Sequence, residues 1–512
     1  MASAFSALWA RKPVAEMAPD DGTGLKRTLG AGDLIMLAIG AVIGAGIFST
    51  LGTAAVGEVG VRAGAGPALP LSFLLLGAVC ALAALCYAEL ASMIPQAGSA
   101  YAYAYATLGE LVAWMIGWDL ILEYAVGNVA VAIAWSGYVN AMLSGFGAAI
   151  PSWLALGYFD VKAGIANTGG ARYPEMLAAW NGAPRIGGLP ILINLPAFGI
   201  VAAITWLLLR GVRESARVNN AMVAVKLLVL TVFCVVGGLH IDPANYTPFA
   251  PNGFAGIHQG AAIAFFAYIG FDAISTAAEE TKNPQRNLPL GILGGLAICT
   301  LIYVIVAVVA VGLVPYTELT GSDPLARALS VAGFESASII VAAGAAVSMA
   351  AVLLVFQYGQ PRIFFSMARD GLMPRWAARV NPKTRVPSVT TMLTGLLVAV
   401  AALVADDDAT YDLTNIGTLF AFAVVCIGVL VLRVREPERV RPFRVPGIWF
   451  VSLGGAAACV FIMSGLPPHA WERFGIWLLI GLVIYVLYGR RHSVLRTGRA
   501  IVTGPAPAGP EH

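Results

Sequence analysis

Apolar runs of about 20 residues, each bounded by short polar or basic segments, recur along the whole chain. A hydrocarbon layer about 30 Å thick takes roughly 20 helical residues to cross. The runs at 32–52, 68–94, 108–143, 189–209, 219–239, 257–278, 288–314, 335–366, 387–405, 412–432, 447–465 and 472–489 reach that length. The pattern predicts an all-α integral membrane protein with twelve transmembrane helices, the third and eighth long enough to tilt or to project beyond the bilayer. Two of the runs are flawed. In the first, Gly40, Gly44 and Gly46 crowd the centre of the apolar stretch 39–48, where glycine costs about 1 kcal/mol relative to alanine. In the sixth, Gly270 and Asp272 stand in mid-run. Each is predicted to be a helix broken at mid-membrane depth.

The two flawed runs align with each other. Ile43-Gly44 falls on Ile269-Gly270 and Ser49-Thr50 on Ser275-Thr276 at one constant offset, which also lays the second run on the seventh and the third on the eighth. The fourth meets the ninth at a shorter offset, because the long connection 144–188 has no counterpart in the second half. Five helices therefore repeat, and an odd number inverts the second copy across the membrane. The chain divides into a tail (1–28), a first repeat (29–240), a second repeat (241–440), two further helices (441–490) and a second tail (491–512), with 1–28 and 500–512 read as disordered. The connection 144–188 reads as a surface loop with little bearing on mechanism. The segment 367–386, the most basic, reads as a cover across one mouth.

Composition agrees with the pattern. Hydrophobic residues make up 59% of the 512 and charged residues 12%, with a mean hydropathy of +0.80, whereas soluble domains are about one quarter charged. A net charge of +3, with basic residues scattered through short loops, excludes nucleic acid as a partner. Those basic residues sort by loop. Arg11, Lys12, Arg210, Arg213, Lys282, Arg369, Arg375, Arg433, Arg435, Arg490 and Arg491 fall on one side with most of the others, while only Arg62, Lys162, Arg172, Arg185, Arg327 and Arg473 fall opposite. The positive-inside rule then puts both termini in the cytoplasm of a plasma-membrane protein. The first thirty residues lack the layout of a secretory signal. Cys80, Cys86, Cys234, Cys299, Cys426 and Cys459 lie within apolar runs without C-x-x-C spacing, and His240, His258, His469, His492 and His512 are scattered. No disulfide, metal site, cofactor or catalytic cluster is expected, and the chain does not read as an enzyme.

Where a helix resumes after a break, its first N–H groups lack partners and its dipole is positive, which suits a carboxylate. Ile43, Gly44, Ala45 and Gly46 occupy that position. The carbonyls ending the preceding half, near Ile39 and Gly40, suit an ammonium. A zwitterion fits both, although Gly40 and Gly44 also satisfy the GxxxG helix-packing pattern. Ionisable groups inside the runs are functional candidates because they are expensive there. Lys226, the one basic residue in mid-run, exchanges a proton, stands where a sodium ion would otherwise sit, or snorkels to the interface. Asp272 either serves function or caps the resumed helix. Asp119 and Glu123 share a helix face at i and i+4, so that each disfavours ionisation of the other. Glu123, the deeper, handles protons, meets a cationic substrate, or bonds neighbouring helices. Glu89 braces a helix mouth, and Glu279, Glu280, Lys282 and Arg286 form a solvated helix end or an inner gate. Phe265, Phe266 and Tyr268 either lid the second break, with Phe266 the preferred gate, or pack. Met349 lines a side-chain pocket or the core.

These motifs resemble those of the amino acid-polyamine-organocation superfamily, and within it the cationic amino acid transporter branch with its bacterial relatives. The resemblance runs over nearly all of 29–490. It rests on Gly40-Ala41-Val42-Ile43-Gly44-Ala45-Gly46-Ile47-Phe48, on Tyr87-Ala88-Glu89-Leu90 through Gly98-Ser99-Ala100-Tyr101, on Gly117-Trp118-Asp119-Leu120-Ile121-Leu122-Glu123-Tyr124, on 265–289, and on Gly359-Gln360-Pro361-Arg362 through Arg369-Asp370-Gly371. It implies a LeuT-like five-plus-five inverted repeat with two added helices, and secondary transport of L-amino acids. Proton coupling is implied for bacterial members, with obligatory exchange on the same fold as the alternative. It further implies carboxylate contacts along Ile43 to Gly46, amine contacts on carbonyls of the first and sixth helices, a gating aromatic at Phe266 and a coupling role for Lys226. From their positions in the runs, Phe265, Ile269 and Met349 join the candidate substrate contacts, and Glu123 and Asp272 join Lys226 as candidate proton sites. The expected partners are an L-amino acid, a proton and the bilayer.

Overall fold

A hydrocarbon interior offers the backbone no partner but itself, so an apolar chain crosses it only as helix or closed barrel. The computed structural model describes residues 9–13, 29–94, 98–170, 172–210, 216–381 and 386–498. Among these the chain is helical apart from two small hairpins, Gly57–Glu58 with Arg62–Ala63 and Arg185–Ile186 with Leu189–Pro190. The principal helices are α1 (Ala31–Val42), α2 (Leu51–Val56), α3 (Leu69–Met93), α4 (Ser99–Thr107), α5 (Glu110–Gly145), α6 (Leu195–Leu209), α7 (Ala216–Gly238) and α8 (Gly253–Ala264). They continue with α9 (Pro284–Leu313), α10 (Pro324–Val331), α11 (Glu335–Arg369), α12 (Ser388–Val404), α13 (Asp407–Arg435), α14 (Ile448–Met463) and α15 (Pro468–Ile484).

Seven helices among the described residues are long and apolar enough to cross a membrane, or eight if α1 and the bent segment that follows it are one span. Three shorter apolar helices, α6, α12 and α14, fall in the fourth, ninth and eleventh predicted runs. The two overlong helices of the sequence reading, α5 and α11, run alongside each other through the centre; α3 and α1 pack on α9, and α13 joins α5 to α14. Outward-facing leucine and valine side chains such as Leu393, Leu396, Leu397 and Val400 on α12 stay exposed, as a helix facing acyl chains requires.

Three expectations are corrected. Residues 9–13, expected within a disordered tail, are docked: the Glu110 N–H donates to the Ala10 carbonyl at 3.0 Å, and Lys12 pairs with Asp370 at 2.9 Å. The segment after 490, expected as tail, folds back as well. Its Val494 N–H donates to the Asp370 carbonyl at 3.0 Å, and Arg496 pairs with the buried Glu110 at 2.9 Å. The carboxyls at the ends of α5 and α11 would stand uncompensated without these cations, which is why the charged segments settle there. The connection 144–188 is no open loop. Its helices Ser152–Ala155, Tyr158–Ala166 and Tyr173–Gly182 enclose an apolar cluster of Val161, Met176, Ala179, Ala183 and Leu192.

Candidate functional site

Both predicted breaks are present, and they face each other. α1 ends where Ile43 turns extended (φ −74°, ψ 103°), and the chain resumes through a π-helical turn, Gly46–Thr50, before α2. The segments on either side are bent by 44°. α8 tightens into a 3₁₀ turn at Phe265–Tyr268, opens at Ile269 (φ −66°, ψ 138°) and passes Gly270 at φ +111°. It resumes as a 3₁₀ helix over Asp272–Glu280, where a continued α-helix was expected. A positive φ of that size is open to glycine at little cost and to few other residues.

Contact between the breaks explains the other glycines. A Cβ on Gly46 would lie 2.1 Å from the Ala267 Cα, and one on Gly270 would lie 2.9 Å from the Ala41 carbonyl oxygen. Gly44 instead faces the Val352 side chain of α11, 2.8 Å from where its Cβ would be. Met349 lies three residues before Val352 on the same helix, fully buried.

Three of the carbonyls at the end of α1 have partners. Ile39 O accepts the Ile43 N–H at 3.0 Å, and Val42 O accepts the Tyr303 hydroxyl of α9 at 2.9 Å. Gly40 O, expected to await an ammonium, accepts the Nζ of Lys226 from α7. Lys226 is fully buried and does not snorkel. On the other break, Asn415 of α13 donates to the carbonyls of Ala262 and Ile263 at 3.0 and 3.2 Å. Asn415 was visible as a polar residue in an apolar run; Tyr303 and Val352 carry no such signal.

The carboxyls gather on the terminus-bearing side of the breaks. Asp272 accepts from Ser99 at 3.2 Å, and its charge, with that of Asp119, acts on Glu123. Glu123 is 3% exposed, within hydrogen-bonding reach of Thr418. Asp119 is fully buried against Gly417, and neither of its oxygens has a hydrogen-bond partner among the described residues. Farther toward that end, Glu89 takes the N–H of Val445 at 2.8 Å and pairs with Arg433 and Arg441, as a brace for the helix mouth should. The side chains of Glu279 and Glu280, and residues 382–385 of the basic segment, lie outside the described residues.

At the opposite end the closure is aromatic and then ionic. The Phe266 ring meets Tyr411 edge to face at 4.8 Å, and Phe265 meets Phe422 at 5.9 Å. Tyr268 turns inward instead, its hydroxyl bonded to the Phe73 carbonyl at 2.8 Å. One residue beyond Tyr411, Asp412 accepts from Arg62 at 2.6 Å, and Glu58 accepts from Arg62 Nε at 2.7 Å. Burial, together with the nearby Asp408, pushes the Glu58 carboxyl up to about 7 despite Arg62. The folded chain therefore binds more protons at Glu58 than the unfolded chain does between its ordinary value and about 7, and stability falls as pH rises through that window. The expected result is a melting temperature that declines from about pH 5 to about pH 7.5, with a shallower decline in Glu58→Gln. An equal slope in the two proteins, measured by thermal melts in detergent, contradicts the assignment.

The family model described as amino acid permease matches residues 29–487. The chain belongs to the amino acid permease family. It is 42% identical to the methylthioribose transporter of Bacillus subtilis (strain 168), over 96% of this chain and 100% of that one. It is 44% identical to the branched-chain amino acid permease BcaP of the same organism, over 92% and 95%. It is 39% identical to the vacuolar cationic amino acid transporter 4 of Arabidopsis thaliana, over 81% of this chain and 65% of that one. The resemblance to the amino acid-polyamine-organocation superfamily stands with these matches. This permease is a multi-pass membrane transport protein and not an enzyme.

Proposed function

We propose that the permease is a proton-coupled symporter of L-amino acids, working by alternating access across a cell membrane. In this reading it has twelve spans, both termini are cytoplasmic, and a LeuT-like inverted repeat relates the first five spans to the next five. The reciprocal contacts of Gly46 with Ala267 and of Gly270 with Ala41 support the repeat, since each break presses its glycine on the segment preceding the other. The substrate carboxylate lies on the N–H groups of Gly44, Ala45 and Gly46, where the resumed helix begins. Its ammonium takes free lone pairs on the carbonyls of the two breaks. The side chains nearby, Ile43, Phe266, Ile269, Met349 and Val352, are apolar and buried, so an amino acid with an apolar side chain fits best.

One observation carries the coupling: the Lys226 ammonium sits on the Gly40 carbonyl, at the end of the helix that must move. Protonated, Lys226 ties α1 to α7; neutral, it loses the charge that makes the bond strong. Glu123 and Asp272, buried acids on the cytoplasmic side in this reading, are the candidates to pass that proton on. Phe266 closes the outer side against Tyr411.

An uptake screen of all L-amino acids in proteoliposomes, with and without an inward proton gradient and with and without internal amino acid, tests this. The expected result is gradient-driven accumulation of apolar amino acids without any internal amino acid. Uptake that requires internal amino acid and ignores the gradient establishes exchange instead.

A further inference from the structure

A cavity of about 690 Å³ opens at the end of the bundle opposite the termini, away from both breaks. The outer end of α5, α10 and the folded connection between α5 and α6 wall it, and Asp407, the first residue of α13, reaches it from below. Its volume is within the range of small-molecule sites. Its charge is unbalanced. Asp160 is matched by Arg172 at 3.1 Å, and Arg327 leans away onto Glu318 at 4.0 Å, which does not line the cavity. Glu175, Asp323 and Asp407 also line it, and no salt bridge within 4.0 Å reaches any of the three among the described residues. Burial pushes the Asp323 carboxyl up to about 6 against the pull of Arg327. Asp407 is only 5% exposed, and its Oδ1 has no hydrogen-bond partner among the described residues. A buried acceptor left empty is destabilising, and a donor delivered through the cavity would relieve that.

We propose that this outer cavity is a second ligand site, for a compact organic cation bearing an ammonium or guanidinium group, with Asp407 as its buried acceptor. The chemistry favours an organic cation over a metal ion, because no three His, Cys, Asp or Glu residues converge among the described residues. Asp407 precedes by one helical turn Tyr411, whose ring closes on Phe266. A cation held at Asp407 therefore sits directly above the aromatic contact that separates the breaks from this side. In the symport reading, on which this functional role rests, the cavity receives the ammonium of an arriving amino acid before the lid opens.

The test uses the full chain in detergent and methylguanidinium as probe, which lacks the carboxylate that the central site requires. The wild type is expected to bind it saturably in calorimetry, with a dissociation constant on the order of 1 mM. Asp407→Asn should weaken binding on the order of tenfold and Glu175→Gln by less. Melting curves report whether each variant is folded; if Asp407→Asn is not, Glu175→Gln decides alone. Absence of saturable binding in the wild type, or unchanged affinity in the folded variants, overturns the site. Asp407-dependent binding in a protein that accumulates no amino acid removes the symport reading and leaves the site standing.

Discussion

Lys226→Ala abolishes accumulation driven by a pH gradient while substrate binding persists. The wild-type ammonium is fully buried and bonded to Gly40 O, at the end of α1 just before its break. Alanine removes both the titrating group and the tie between α1 and α7. The carboxylate site proposed at Gly44 to Gly46 is made of backbone groups and should survive that loss. Coupling between two sites is typically worth 5- to 150-fold, so gradient-driven accumulation should fall by about 10- to 100-fold, to the uncoupled level. Substrate affinity measured by calorimetry should stay within about tenfold of wild type. Lys226→Arg sharpens the point. Arginine keeps the hydrogen bond but does not deprotonate in a protein, so this variant should bind substrate and still fail to accumulate it. Normal accumulation by either variant under a proton gradient removes Lys226 from the coupling role.

What the sequence disclosed and what it hid follow from how far each signal reaches. The breaks were legible because glycine in mid-run carries a local energetic cost, although helix packing through GxxxG stood as an alternative reason for it. Lys226 was legible as expensive, but its acceptor was not: Gly40 lies on another helix, and no periodicity joins the two. The 3₁₀ character of Asp272–Glu280 left no trace, since the same residues fit i→i+3 and i→i+4 bonding. The connection 144–188 reads as a surface loop because its apolar residues, Val161, Met176 and Ala179, are spaced for short amphipathic helices rather than for a span. Lys12 and Arg496 read as solvated charge in tails. Their partners, Asp370 and Glu110, are helix-end acids hundreds of residues away, and only the assembled bundle brings them together.

The second large effect concerns the contact between the breaks, and it separates two glycines that look alike in sequence. A Cβ on Gly46 meets the Ala267 Cα at 2.1 Å and the Ala267 nitrogen at 2.4 Å, both backbone atoms in a 3₁₀ turn. A Cβ on Gly44 meets the side chain of Val352 instead, nearest at Cγ2, 2.8 Å away. Side chains yield more readily than backbone, so Gly44→Ala should cost about 1 kcal/mol and Gly46→Ala about 3 kcal/mol or more. Gly46→Ala is therefore expected to lower the melting temperature by several degrees and to end transport, whereas Gly44→Ala keeps partial uptake. A double-mutant comparison assigns the cause. Val352→Ala should rescue Gly44→Ala, because the clash is with a removable methyl group. Ala267→Gly should not rescue Gly46→Ala, because the atoms in the way remain. Wild-type melting and uptake in Gly46→Ala would mean that the two broken helices do not meet at this point. The shared site would then have to be built from some other pair of surfaces.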